Sequence, residues 1–259
     1  MKLGFTRSSA EPKLYFKLVQ DMPSILVLYV DDLFLTGIEP VMIEFKRKLA
    51  YEFELKDLGL MHYFLGLEVW QRPGETFLSQ GKYIVKLLEI FEMTKCKSMF
   101  TPMEMNFKKL CGEAAGPNLK NPSKYRQLIG ALMFLANTHL DICYAVNTLS
   151  QFMTEPLHAQ WIATKHILRN LHGLITLGLR YSARDFQLHG YNDAELDENV
   201  INRKSTYGCF FSLGFAMISW MSKKQNSMAL STTEVEYIAT SMASYEEFWL
   251  INLFGELFE

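Results

Sequence analysis

The chain has 259 residues, 49% of them hydrophobic and 21% charged, enough for one or two domains and a sizeable core. Lys plus Arg number 26 against 28 Asp plus Glu, a formal net charge of -2, so no global basic excess points to a nucleic-acid partner and any polyanion site must be local. The longest apolar runs, such as Ser24 to Val30, fall far short of the roughly 20 residues of a membrane helix, and no long apolar signal segment follows Met1-Lys2, so an intracellular protein (cytoplasmic or nuclear) with no membrane partner is expected.

In chain order, Ile25 to Val30 and Leu33 to Thr36 are short runs of strand formers that predict a hairpin buried on both faces, with Asp31-Asp32 at its tip. Val41 to Phe53 places Phe45, Leu49 and Phe53 on one stripe at a spacing of four and predicts a surface helix. His62 to Trp70 and Glu75 to Ser79 read as strands around Arg72-Pro73-Gly74, followed by a helix from Lys82 to Phe91. Residues Lys95 to Arg126 form a basic, turn-rich connector carrying Lys95, Lys97, Lys108, Lys109, Lys120, Lys124 and Arg126 against only Glu104 and Glu113. From Tyr125 to Leu171 the pattern is helical, with Thr154 and Pro156 as a start signal and Leu157, Trp161, Leu168 and Leu171 on a buried stripe. Leu188 to Ser222 returns to short strands, and a final helix carries Ile238, Met242, Tyr245 and Trp249. Cys96, Cys111, Cys143 and Cys209 lie far apart without a Cys-x-x-Cys pair, which predicts reduced, mostly buried thiols.

The sharpest chemical feature is Tyr29-Val30-Asp31-Asp32. A carboxylate beside a low-dielectric sheet is costly unless a cation or partner neutralises it, and two adjacent acids suit Mg²⁺. The competing reading is an exposed turn that simply favours Asp. His158, His166 and His172 show no ligand spacing and are read as structural. No phosphate-binding Gly-Lys loop, dinucleotide fingerprint or Gly-x-Ser-x-Gly elbow is present, which argues against nucleotide hydrolase, dehydrogenase and esterase chemistry.

Tyr29-Val-Asp-Asp-Leu-Phe-Leu-Thr-Gly37, Lys56 to Val69, Phe77-Leu-Ser-Gln80 and Thr101-Pro-Met103 resemble, in this order, the polymerase part of copia-type LTR retrotransposon polyproteins. Tyr125 to Gly130, Asp141 to Val146, Leu149 to Phe152 and Leu179-Arg-Tyr181 are similar to the family's connection region. Gly190-Tyr-Asn-Asp193, Arg203 to Thr206, Ile218-Ser-Trp220, Ser222 to Gln225 and Ala229 to Ala239 resemble its RNase H start. The resemblance implies an α/β (α+β) fold. Its parts would be a late reverse-transcriptase palm with a metal-binding and a primer-grip-like hairpin (residues 1–79), a mostly helical thumb and connection (80–185) and an incomplete RNase H-like unit (186–259).

Carried across, the resemblance makes Asp31 the principal metal ligand of the polymerase site and Asp32 its partner, with Tyr29 and Val30 under the primer terminus. Tyr63, Phe64, Leu65 and Gly66 would grip the primer strand, the small Gly66 letting backbone approach backbone; ordinary core packing is the alternative for Tyr63 and Phe64. The Lys82 to Phe91 helix and the basic connector would track phosphates, unless they are simply solvated charged faces. Asp193, after the strand-like Leu188 to Asn192, and Glu234 would hold Mg²⁺ for cutting RNA. Competing readings are a turn at Asn192-Asp193-Ala194 and a capping box, Ser231-Thr-Thr-Glu234.

The implied cofactor is Mg²⁺ (or Mn²⁺), and the implied partners are an RNA–DNA hybrid or primer–template and dNTP. The family's polymerase site uses a further carboxylate well upstream, and none of the 30 residues before Asp31 resembles that motif; further RNase H aspartates follow the helix that Glu234 opens. The acidic-aromatic stretch after Asp193 is altered to Ala194-Glu195-Leu196-Asp197-Glu198, and the usual Arg-Pro before Asp141 is His139-Leu140. The expectation is therefore a fragment of an RNA-directed DNA polymerase and RNase H polyprotein, inactive alone, with a C-terminal unit of marginal stability. Alternatives are a catalytically silent nucleic-acid-binding remnant and an inert pseudogene product.

Overall fold

The computed structural model describes residues 4–19, 22–30, 32–104, 110, 115–183, 187–195 and 204–258. Among these the chain is mixed α/β, with three antiparallel sheets and six α-helices. It divides into two compact units, Met1–Leu60 with Ser241–Glu259, and Met61–Thr240.

In the first unit, β1 (Thr6–Arg7), β2 (Leu14–Val19), β3 (Met22–Tyr29) and β4 (Asp32–Thr36) form one sheet in sequence order. Helix α1 (Glu39–Glu52) covers one face of it, with Leu26 of β3 packed in a cluster with Phe5, Phe45 and Leu49. Along β3, Ser24 and Leu26 are buried whereas Ile25 and Val27 are half-buried. The expected burial on both faces is therefore corrected: the strand alternates, as one covered face of an antiparallel sheet requires. Phe53, expected on the helical stripe, lies one residue beyond α1 in extended backbone and is exposed. The distal half of the last helix, α6 (Thr232–Phe258), belongs to this unit. Trp249 Nε1 donates to the Ala10 carbonyl at 2.9 Å, and the Glu256 carboxylate accepts from the Ser9 N–H at 3.0 Å and from the Ser9 hydroxyl.

In the second unit, β5 (Tyr63–Phe64), β6 (Leu67–Arg72), β7 (Glu75–Ser79) and β8 (Leu179–Ser182) form a sheet in that order. What was expected as one strand from His62 to Trp70 is interrupted by a turn at Leu65-Gly66, both at positive φ (48° and 81°). Helix α2 (Gly81–Ile90) follows β7. The buried Glu68 of β6 accepts from the Lys82 N–H at 2.7 Å, satisfying one of the unpaired donors that open every helix. Helices α3 (Pro122–Leu135), α4 (Cys143–Ser150) and α5 (His158–His172) enclose the main core with α2, including Ile84, Leu128, Leu132, Leu149 and Leu168. Asn121 caps α3, accepting from the Lys124 N–H at 3.3 Å, and Pro122 sits in its first turn. Helix α5 begins at His158, after the signal read at Thr154 and Pro156. Its buried Gln160 reaches back to accept the Leu157 N–H at 2.7 Å.

A third sheet, in the order β11 (Ala216–Lys224), β10 (Thr206–Leu213), β9 (Leu188–Glu195), buries Tyr207, Cys209 and Phe211 on one face. The first turns of α6 bury Val235 and Ala239, and Gln225 Nε2 donates to the Val235 carbonyl at 2.9 Å. Trp220 Nε1 of β11 donates to the Ala136 carbonyl at 2.7 Å, tying this sheet to the end of α3. Cys209 is buried, as expected, whereas Cys96 and Cys143 are only half-buried; Cys111 lies outside the described residues. No described helix is long and apolar enough to cross a membrane.

Two measurements test these contacts. Tyr125 is fully buried, donates to the Leu149 carbonyl at 2.7 Å, and burial pushes its hydroxyl up to about 12. Tyr125→Phe leaves that acceptor unpaired and should lower the unfolding free energy in urea by about 1 kcal/mol. The Ser8 and Ser9 hydrogen bonds hold the Glu256 carboxyl below its ordinary value of 4.5. A carboxyl lowered by folding stabilises above its unfolded value and stops doing so as pH falls through the lowered one. Exchange protection of the Ser9 amide should accordingly persist down through pH 4.5 and be lost only as pH falls through the lowered value, and Glu256→Gln should flatten that dependence.

Candidate nucleic-acid and metal site

Asp32 sits where the β3–β4 register ends. Pairs run from Ile25 with Thr36 to Tyr29 with Asp32, leaving a two-residue connection. Val30, the first of those two residues, is at φ 51° and 90% exposed. A β-branched residue in the left-handed region is a strained outlier. Asp31 lies outside the described residues. Asp32 opens β4 with an exposed carboxylate that makes no hydrogen bond or ion pair with another described residue. Tyr29, opposite Asp32 in the ladder, is partly exposed, and the Lys13 ammonium lies 4.9 Å from its ring centroid. Lys13 was not singled out in the sequence. The signal that finds it is register, since Leu14 pairs with Val27 and sets Lys13 beside the end of β3.

Tyr63 and Phe64 form β5, and Leu65-Gly66 make the turn into β6. Tyr63 is 60% exposed and Phe64 half-buried, so ordinary core packing does not account for Tyr63. At Gly66 a Cβ would meet the Phe134 ring at 2.6 Å, so the close approach that needs glycine is to an aromatic ring of α3 and not to another backbone. Phe134 in turn packs edge-on against Tyr83 at 5.0 Å. Leu65 takes a positive φ without being glycine, the second such position in the two expected hairpins.

Asp193 lies inside β9, paired with Gly208, and not after the strand; the turn at Asn192-Asp193-Ala194 is likewise absent. Its neighbour Asn192 donates from Nδ2 to Thr240 Oγ1 of α6 at 2.9 Å. Alternation then points Asp193 to the opposite face of the sheet, where its Oδ1 accepts from the Ala194 N–H at 2.9 Å. The Glu234 N–H donates to Ser231 Oγ at 3.2 Å, as in the expected cap, while its Oε2 accepts from the Leu230 N–H at 2.8 Å, one residue before the capping serine. Among the described residues no three His, Cys, Asp or Glu side chains converge as a metal cage.

Of the basic connector, Lys108 and Lys109 lie outside the described residues. Arg126 donates to the Met153 carbonyl at 3.1 Å, a structural use of its guanidinium. His166 approaches the Thr101 carbonyl at 3.0 Å, consistent with a structural histidine.

Strain at Val30 is measurable. Because Val30 is almost wholly exposed, Val30→Asn forfeits little burial while removing a conformational cost of about 1 kcal/mol, so urea unfolding should show a gain of that order. An unchanged or lower stability would contradict the strained turn.

Residues 1–105 match the family described as reverse transcriptase (RNA-dependent DNA polymerase). Over 261 residues the chain is 37% identical to the retrovirus-related Pol polyprotein from transposon RE1 of Arabidopsis thaliana, covering 99% of this chain and 18% of that polyprotein. It is 35% identical over 245 residues to the putative transposon Ty5-1 protein of Saccharomyces cerevisiae, covering 93% of this chain and 79% of that protein. It is also 37% identical over 227 residues to an uncharacterized mitochondrial protein of Arabidopsis thaliana, 86% of this chain and 93% of that protein. The chain thus spans about a fifth of the length of the curated Pol polyproteins it matches. No solved structure matches it. With its collinear motifs, its acidic hairpin and relatives aligned along nearly its whole length, the chain belongs to the reverse transcriptase family of copia-type retrotransposon Pol polyproteins.

Proposed function

We propose that this reverse-transcriptase fragment supplies the late palm, thumb and connection of an RNA-directed DNA polymerase, and that its 259 residues alone hold a primer–template without extending it. The observation that supports this reading is the β3–β4 hairpin, which ends with Asp32 at the start of β4, its carboxylate exposed and free of protein partners among the described residues. Hard carboxylate oxygens suit Mg²⁺ or Mn²⁺, so Asp31 and Asp32 fit as its holders. When bound there, the ion lowers the pKa of the primer hydroxyl and neutralises the dNTP phosphates. Tyr29 and Val30 then lie under the primer terminus, and Tyr63, Phe64, Leu65 and Gly66 position the strand.

Two adjacent acids do not by themselves enclose a metal pair, and this supports the reading of a chain that is silent alone. The RNase H-like reading of residues 186–259, with Asp193 and Glu234 as metal ligands, belongs to the same proposal. For that second site the orientation of Asp193 away from the Asn192–Thr240 contact favours a silent remnant over a nuclease.

Filter binding and primer extension test the proposal together. The chain should retain an RNA-templated DNA primer at low salt, lose it steeply as salt rises, and add no nucleotide in Mg²⁺ or Mn²⁺. Failure to bind at any salt would overturn the nucleic-acid reading, and templated extension would overturn the claim of silence.

A further inference from the structure

We infer that Lys13 contacts a backbone phosphate of the nucleic acid that the hairpin receives, a role that rests on the primer–template reading above and that no motif assigns. Three observations on its position carry it. First, the Lys13 backbone is pinned, because its carbonyl accepts the Leu28 N–H at 2.9 Å and its N–H donates to Glu11 Oε1 at 3.1 Å. Second, its ammonium rests over the Tyr29 ring, 4.9 Å from the centroid, next to the ladder position of Asp32. Third, that ammonium makes no ion pair with another described residue, although Glu11 lies two residues away in the chain.

An exposed lysine ordinarily spreads its charge over many rotamers. Here the aromatic face narrows that choice, and none of the ammonium donors is taken up by another described residue. A compact ammonium is a point-charge binder of phosphate, and a nucleic-acid strand ending at the acidic turn brings phosphates past it. Lys17 provides an internal control, since its ammonium also rests over an aromatic ring, that of Phe45 at 5.3 Å, but over the core side of the sheet.

The test is the salt dependence of primer–template binding by the full chain. Each phosphate contact contributes about 0.9 to the slope of log affinity against log salt on a duplex. Lys13→Gln should reduce the slope by about 0.9; Lys13→Arg should restore it, and Lys17→Gln should leave it at the wild-type value. Circular dichroism melting of each variant at the wild-type temperature excludes misfolding as the cause. A wild-type slope in Lys13→Gln, or an equal loss in Lys17→Gln, would overturn the Lys13 assignment while leaving the primer–template reading intact. Absence of binding by the wild-type chain would overturn both.

Discussion

One-sided burial of β3 governs the rest of the first unit. Because Leu26 must face Phe45 and Leu49 of α1, the pairing of β3 with β4 cannot slip by one residue without turning that face to solvent. The register that satisfies the core ends with Tyr29 opposite Asp32, and the connection is left with two residues. Packing inside the sheet thereby decides that an acidic residue emerges at its end. The strain at Val30 is the local consequence, for a tight turn of this length demands backbone conformations that valine resists.

The second unit solves a different problem, that of joining a small sheet to a helical core through polar groups that cannot be left unpaired. Glu68 spans from β6 to the first N–H groups of α2, and the hydroxyl of Thr138 donates to the buried Gln80 Oε1 at 2.6 Å. Tyr125 ties α3 to α4 through the Leu149 carbonyl. The β5–β6 turn is held in the same manner by shape, since the missing side chain of Gly66 is the space occupied by Phe134, which rests on Tyr83. A hairpin seated on the core in this way holds Tyr63 in the β5–β6 ladder with its side chain exposed.

Much of this was legible from periodicity. The spacing of Phe45 and Leu49, the Pro73-Gly74 turn and the Ser231–Glu234 cap each state a local rule that the structure obeys, whereas α3 begins at Pro122, inside the stretch read as a connector. What was not legible is non-local or depends on an exception. Leu179–Ser182 becomes a strand only by pairing with Glu75–Leu78, about a hundred residues earlier, and four residues carry too little pattern to announce it. The turn at Leu65-Gly66 escaped because leucine seldom takes a positive φ, so the apolar run read as a single strand. Asp193 read as a turn residue because its short polar side chain favours turns, yet the ladder with β10 carries the strand past it. At the candidate site, the acids and the aromatics were visible as motifs, whereas the Lys13–Tyr29 contact exists only through the β2–β3 register.

Whether Asp31 and Asp32 hold a cation for a nucleic acid is reported directly by Mn²⁺, because its electron paramagnetic resonance signal weakens when the ion binds protein. Titration of the full chain with Mn²⁺ in the presence of primer–template should show an ion bound by the wild type. Its affinity should fall at least tenfold when Asp31 and Asp32 are both changed to Asn. An unchanged affinity in that double variant, with primer–template still retained, would contradict the assignment of the doublet.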